Sequence, residues 1–341
     1  MSAPARVTVV GAGSWGTALA NVLAGNGHQV LMWAFEEDVA EAVNRDHVNP
    51  RYLPGMPLHE GLSATSDLGA AVSAAGSMLV WVVPSHVTRQ VFTQALPHLA
   101  PEVPIVSATK GIEVDTQQLM TGVFEELLGD GGRDRIGVLS GPSFAKEVVA
   151  GAPTGVAAAA WNPAVGERAQ ALFGSRVFRV YTNNDPIGTQ VGGALKNVVA
   201  IAAGAVEGLG LGYNTQAVLI TRGLSEIARL GVAMGGQAAT FAGLSGIGDL
   251  VLTCTGGLSR NRQVGIALGQ GQKLEHVLAQ MEMVAEGVKT TAGAHKVARE
   301  LGVDMPIVEQ VHRALFEGVT ATEALDALMS RPQCPEDELV D

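Results

Sequence analysis

Arg6-Val7-Thr8-Val9-Val10 runs without a break into Gly11-Ala12-Gly13-Ser14-Trp15-Gly16 and on into Thr17-Ala18-Leu19-Ala20. The first five residues are β-branched and apolar enough for a buried strand, and the residues after Gly16 suit a helix running to about Asn26. Between them stands G-x-G-x-x-G in the context it requires, after a strand and at the opening of a helix. Gly11 permits the tight turn, Gly13 lets a pyrophosphate approach the backbone, and Gly16 allows close helix–strand packing. The phosphates then meet the positive end of the helix. A dinucleotide site is the favoured reading, with an ordinary glycine-rich turn as its rival.

Outward from this stretch, strand-like runs alternate with helical ones. His28–Trp33, Met78–Val83, Pro104–Ser107, Ile136–Ser140, Thr154–Ala160 and Val177–Thr182 are strand candidates, with helical patterns such as Val87–Leu99 and Thr116–Leu128 between them. Nearly continuous apolar strands alternating with helices predict a parallel sheet covered on both faces. After about Asn183 strand runs cease, and apolar residues recur at helical spacing in Gln190–Val206 and Gln216–Leu230. The expected fold is α/β, a Rossmann-like doubly wound parallel sheet followed by an all-α C-terminal domain. Expected boundaries are 1–184 for dinucleotide binding, 185–331 for the helical substrate domain, and 332–341 for an acidic, disordered tail.

Composition narrows the function classes. A chain of 341 residues accommodates about two domains at ~150 residues each, and 47% hydrophobic residues rule out general disorder. A net charge of −11 repels phosphodiester backbones, which argues against a nucleic-acid partner but not against one small phosphorylated ligand. Two cysteines, Cys254 and Cys334, make neither a disulfide framework nor a cysteine-cluster zinc site. The eight histidines show no metal-ligand spacing, so no metal is expected. Met1–Arg6 runs straight into the first strand, and the apolar stretch after Asn197 is broken at Glu207. These features predict a cytoplasmic protein without stable membrane insertion. Glycine is in excess, at 43 residues where ~7% is usual.

Several stretches carry candidate chemistry. The end of the second strand offers Phe35, either an adenine platform or a core residue, and Glu36, either a ribose contact or a solvated helix start. Lys110 follows a strand and is either a lysine reaching into the ligand crevice or a surface residue. Ser143, in Gly141-Pro142-Ser143-Phe144-Ala145, is either a helix N-cap or a ligand contact. Lys196 stands in Gly192-Gly193-Ala194-Leu195-Lys196-Asn197-Val198-Val199, a helix otherwise nearly free of charge. Desolvation there would lower its pKa toward values useful in acid/base work, the alternative being a snorkelling lysine. Gly192 and Gly193 would let a flat ring approach that helix. Asp249 and Thr253 share a helix face at i, i+4. Thr255-Gly256-Gly257 followed by Ser259-Arg260-Asn261 supplies amides, a hydroxyl and a guanidinium suited to a phosphate monoester, unless it is merely a polar loop. Cys254 reads as a small core residue rather than a nucleophile.

Eight segments in order form a specific set. They are GAGSWGTALA from Gly11, VVPSH from Val82, ATKGIE from Ala108, SGPSFAKEV from Ser140, GGALKNVVAI from Gly192, LITRGLSEIARLG from Leu219, GIGDLVLTCTGGLSRNR from Gly246 and VAEG from Val284. From Val7 to about Leu328 the chain resembles the bacterial-type NAD(P)-dependent sn-glycerol-3-phosphate dehydrogenases. The resemblance implies NAD(P)H as cofactor, dihydroxyacetone phosphate and sn-glycerol 3-phosphate as substrates, a role in phospholipid synthesis, and a homodimer. It implies cofactor contacts at Gly11, Gly13, Ser14, Trp15, Gly16, Phe35, Lys110, Ala145, Arg260, Val284 and Glu286. It implies substrate contacts at Lys110, Gly141, Ser143, Lys196, Asp249, Ser259, Arg260 and Asn261, with Lys196 as proton acceptor and Lys110 and Asp249 assisting. Relatives commonly carry Arg or His where this chain has Phe35, which leaves the 2′-phosphate contact open. A reductase of small keto acids and a non-enzymatic dinucleotide sensor are the alternatives.

Overall fold

A computed structural model describes residues 4–281, 285–333 and 335. The chain divides into two compact units. One runs to Thr109 and resumes over Met120–Pro186; the other holds Lys110–Leu119 and the residues from Ile187 onward. The segment Lys110–Leu119, expected inside the first region, therefore packs with the helical unit. Of the expected acidic tail, only Pro332, Gln333 and Pro335 fall among the described residues.

The first unit is built on an eight-stranded sheet. Its strands are β1 (Arg6–Val10), β2 (Gln29–Trp33), β3 (Leu62–Thr65), β4 (Met78–Trp81), β5 (Ile105–Ser107), β6 (Ile136–Ser140), β7 (Thr154–Ala160) and β8 (Phe178–Asn183). They lie in the order β3-β2-β1-β4-β5-β6-β7-β8. All neighbours are parallel except β6 and β7, which run antiparallel with Val138 opposite Ala159. The doubly wound α/β fold expected from the alternation is thus present, with a reversal at its far side. Strand β3 escaped the sequence reading because Leu62-Ser63-Ala64-Thr65 is short and only half apolar. Its place is set by pairing, with Val30 opposite Leu62.

Central strands are buried on both faces; Val9, Val10, Leu79 and Val80 are fully covered. Beneath β4, Trp81 meets Phe92 and Phe124 edge-on at 5.2 and 5.8 Å, a geometry that adds to the burial of three large rings. Because β2 and β4 flank β1 on opposite sides, the winding reverses at the carboxyl end of β1, where such sheets bind ligands.

The second unit is helical. Its core element, Pro186–Gly208, is long and apolar enough to cross a membrane, yet its apolar faces supply the unit's core through Val191, Leu195, Val198, Val199 and Ile201. Much of the glycine excess serves helix contacts here. A Cβ on Gly204 would lie 2.0 Å from the Arg262 carbonyl oxygen, and one on Gly265 would lie 1.9 Å from that of Ile201. Helix Arg260–Gly269 thereby approaches Pro186–Gly208 backbone to backbone. The segment Lys110–Leu119 joins this core through buried Ile112, which bridges to Leu119 and packs against Gly293. Helix Met120–Leu128 consequently starts later than the expected Thr116.

Candidate active site

The glycine-rich turn fits a dinucleotide. Gly11 has φ +114, and a Cβ there would meet the Val82 carbonyl oxygen at 2.8 Å, so only glycine permits the turn. A Cβ on Gly16 would sit 1.9 Å from the Gly11 carbonyl oxygen, whereas one on Gly13 would meet nothing within 4 Å. Gly13 caps the helix Ser14–Gly25, which has no side-chain cap and no acid in its first turn. A helix start without a side-chain cap, beside an unobstructed glycine, suits a pyrophosphate. Trp15 packs on the sheet core. The Ser14 hydroxyl donates to the Tyr52 carbonyl at 2.6 Å, so Ser14 offers the turn its backbone.

At the end of β2, Phe35 is 80% exposed and meets Trp33 edge-on, which overturns its reading as a core residue. Glu36 is half-buried and not simply solvated: its Oε1 accepts from the Tyr52 hydroxyl at 2.6 Å and lies 3.6 Å from Arg51 Nη1. Burial, and then the bond to Glu36, raise the Tyr52 phenol to about 12. Tyr52 and Arg51 were missed in the sequence. Their Pro- and Gly-flanked stretch Asn49–Gly55 marked a turn but gave no hint of what it would face. Beyond β6, Gly141 has φ +148 with Val156 against it. Ser143 donates to the Gly141 carbonyl at 2.9 Å. The N-cap of helix Ala145–Val149 is Phe144, so Ser143 is not the cap.

The helical unit gathers three charged residues in its interior. Lys196, 6% exposed, donates to Asp249 Oδ1 at 2.5 Å and to Thr253 Oγ1 at 2.9 Å. Lys110 donates to Asp249 Oδ2 at 2.8 Å. One fully buried carboxylate thus bridges two ammonium groups contributed by separate segments. Burial lowers the Lys196 pKa to about 7; Asp249 opposes that shift and Lys110 adds to it. The snorkelling alternative fails, because a buried carboxylate holds the ammonium inside. Gly192 has a different task from the one expected. A Cβ there would lie 2.3 Å from the Ser245 carbonyl oxygen, so it admits the Leu244–Gly248 turn that delivers Asp249, not a flat ring. Cys254 is buried, and burial pushes its thiol up to about 12, as suits a core residue.

The polar loop ends at Ser259, whose hydroxyl caps helix Arg260–Gly269 by accepting from the Arg262 amide at 3.2 Å. Arg260 stands at the helix's first position; burial lowers its pKa from the usual value, against the field of Glu286. The Asn261 side chain donates to Asn197 Oδ1 and accepts from the Gly287 amide, each at 2.9 Å. It is occupied in tying three helices together, a role not foreseen. Val284 lies outside the described residues, and Ala145 and Glu286 each open a helix.

A dinucleotide turn at a parallel-sheet switch point and a buried lysine bonded to a carboxylate are the equipment of a dinucleotide-dependent oxidoreductase. Residues 6–165 match the N-terminal domain, and residues 185–326 the C-terminal domain, of NAD-dependent glycerol-3-phosphate dehydrogenase. The chain belongs to that family. It is 52% identical over 326 residues to the glycerol-3-phosphate dehydrogenase (NAD(P)+) of Geobacter sp. strain M21, covering 96% of this chain and 97% of the relative. A solved glycerol-3-phosphate dehydrogenase from Coxiella burnetii is 39% identical with a TM-score of 0.91, covering 96% and 99% of the two chains. The Saccharomyces cerevisiae enzyme structure is 31% identical with a TM-score of 0.81, covering 96% and 99%.

Proposed function

We propose that the chain interconverts dihydroxyacetone phosphate and sn-glycerol 3-phosphate with NAD(P)H. The observation that carries this is Lys196, buried, bonded to Asp249 and Thr253, with a pKa of about 7. Gly11, Gly13, Ser14, Trp15 and Gly16 hold the cofactor's pyrophosphate side; the family resemblance adds Phe35, Lys110, Ala145, Arg260, Val284 and Glu286 as cofactor contacts. When bound, NAD(P)H supplies the hydride that reduces the substrate's carbonyl carbon.

The chain's own groups do the rest. Lys196 Nζ gives a proton to the carbonyl oxygen and is left as a neutral amine, still bonded to Asp249 and Thr253. In the reverse direction that amine takes the hydroxyl proton. Lys110 places a second positive charge where the oxygen becomes anionic. Asp249 orients both ammonium groups, so neither has to reorganise as charge develops. Arg260, Asn261 and Ser259 bind the phosphorylated substrate, and the family resemblance adds Gly141 and Ser143 as substrate contacts. Their grip orients the carbonyl for reaction. Two supporting physical features are the low Lys196 pKa, which suits proton exchange near neutrality, and a desolvated guanidinium, which binds phosphate strongly.

The family resemblance also supports a cytoplasmic homodimer whose product supplies phospholipid synthesis; light scattering checks the assembly. Oxidation of NADH and of NADPH with dihydroxyacetone phosphate tests the activity, followed by loss of nicotinamide absorbance. Absence of turnover with both cofactors rejects it.

A further inference from the structure

The family's cofactor leaves open which nicotinamide dinucleotide this chain takes, and the end of β2 carries that choice. Phe35, neutral and exposed, places no cation there. Next to it stands Glu36, followed by Glu37 and Asp38 in the first turn of helix Glu37–Asp46. We propose that Glu36, held by the Tyr52 hydroxyl and flanked by Arg51, selects the cofactor at the ribose 2′ position, accepting from a free 2′-hydroxyl and disfavouring a 2′-phosphate. The inference rests on the dinucleotide reading above.

Tyr52 and Arg51 both act on Glu36 Oε1, at 2.6 and 3.6 Å. Oε2 takes part in neither contact and is the oxygen left for a ribose hydroxyl. The loop bearing Tyr52 is fastened to the pyrophosphate turn. Asn49 Nδ2 donates to the Ala12 carbonyl and to Thr17 Oγ1, each at 2.8 Å, and Asn49 Oδ1 accepts from the Tyr52 amide at 3.0 Å. Ser14 closes the frame through its bond to the Tyr52 carbonyl. The carboxylate is therefore placed relative to the backbone that receives the phosphates, and not by a free rotamer. Tyr52 remains a donor at every neutral pH because its phenol titrates at about 12. Arg51 is half-exposed, and its 3.6 Å separation from Glu36 is too long for a hydrogen bond. In water such a pair neutralises Glu36 only weakly. A 2′-phosphate, carrying nearly two negative charges, meets net repulsion there, and Arg51 is the group that softens it.

Calorimetric titration of the full chain with ADP-ribose and with 2′-phospho-ADP-ribose tests this without turnover. The unmodified chain should bind ADP-ribose ~10-fold or more tightly than its 2′-phospho form, the worth of a charged hydrogen bond. Glu36→Gln should bring the ratio toward one, and Tyr52→Phe should move it the same way by a smaller step. Arg51→Ala, an exposed change that folding tolerates, should widen it. Equal or tighter binding of the 2′-phospho form by the unmodified chain overturns the proposal, as does a ratio unmoved by Glu36→Gln. If dihydroxyacetone phosphate is not turned over while the ratio still responds to Glu36→Gln, the reaction fails and this selection stands.

Discussion

Lys196 shows how one side chain's chemistry follows from its surroundings. Removing an ammonium from water costs far more than one hydrogen bond returns, so its proton is loosely held even beside Asp249. Lys196→Ala should lower turnover by ~10²–10⁴, the usual worth of a positioned acid/base, while ADP-ribose affinity stays unchanged; steady-state kinetics and calorimetry separate the two. With the pKa lowered from 10.5 to about 7, ketone reduction, which needs the protonated amine, should decline as pH rises through 7. Alcohol oxidation, which needs the neutral amine, should rise over the same range. Opposite pH limbs for the two directions support the assignment, and parallel limbs reject it. Arg260 acts on binding and not on the proton. Arg260→Ala should raise KM for dihydroxyacetone phosphate and leave the poor substrate dihydroxyacetone nearly unaffected, because a charge-assisted phosphate contact is lost. Equal losses on both would show that Arg260 does not hold the phosphate.

Between elements, glycine decides where these residues meet. Helices Pro186–Gly208 and Arg260–Gly269 touch through Gly204, Gly208, Gly265 and Gly269, each with the partner helix's backbone where a Cβ would go. Contact this close sets the distance from Lys196 on one helix to Arg260 on the other. Gly265→Ala, with its new carbon 1.9 Å from the Ile201 carbonyl oxygen, must push the helices apart. Overpacking of this kind costs about 1–3 kcal/mol, so the melting temperature should fall and KM for dihydroxyacetone phosphate should rise. An unchanged melting temperature would mean that the helices accommodate the methyl group by sliding. The same close approach explains why the glycine excess was visible in composition while its use was not: a count does not say which backbones converge.

At the scale of the whole molecule, the chain leaves the sheet unit at Lys110 and returns at Met120, carrying Lys110 to Asp249. Ile112 anchors that excursion, 1% exposed in the helical core, and Gln117 bonds Glu300 at 2.6 Å. Ile112→Ala should cost about 2–5 kcal/mol of stability, as for other buried aliphatic truncations, and should also lower turnover by loosening Lys110. Chemical denaturation beside kinetics measures both, and a loss of stability with full turnover would show Lys110 to be held by other means. Stability should also depend on pH through Glu226. Its buried carboxylate accepts from the Ile307 and Val308 amides at 2.8 and 3.2 Å, yet burial raises its pKa from 4.5 to about 7. The folded state then holds a proton that the unfolded state has lost, so stability decreases as pH rises from 4.5 to 7. Glu226→Gln should flatten that slope in denaturation curves taken across the range; an unaltered slope would assign it to other groups.

Local chemistry along the chain was enough for the sheet unit. Strand β1, the turn Gly11–Gly16 and the helix after it are specified by adjacent residues, since strand propensity, glycine spacing and helix amphipathicity all act over a few positions. The change to helical periodicity near Asn183 was legible for the same reason, as was Lys196 as a charge on a helix otherwise nearly free of charge. Tertiary structure alone decided what these residues touch. Asp249 lies 53 positions from Lys196 and 139 from Lys110, and no local pattern encodes a carboxylate shared across such separations. Strand β3 is a strand because β2 pairs with it, and Asn261 is a clamp because Asn197 and Gly287 happen to converge on it. Tyr52 meets Glu36 in a loop that Asn49 fastens to the glycine turn. Desolvation and hydrogen-bond geometry depend on neighbours in space, and those exist only after the chain has folded.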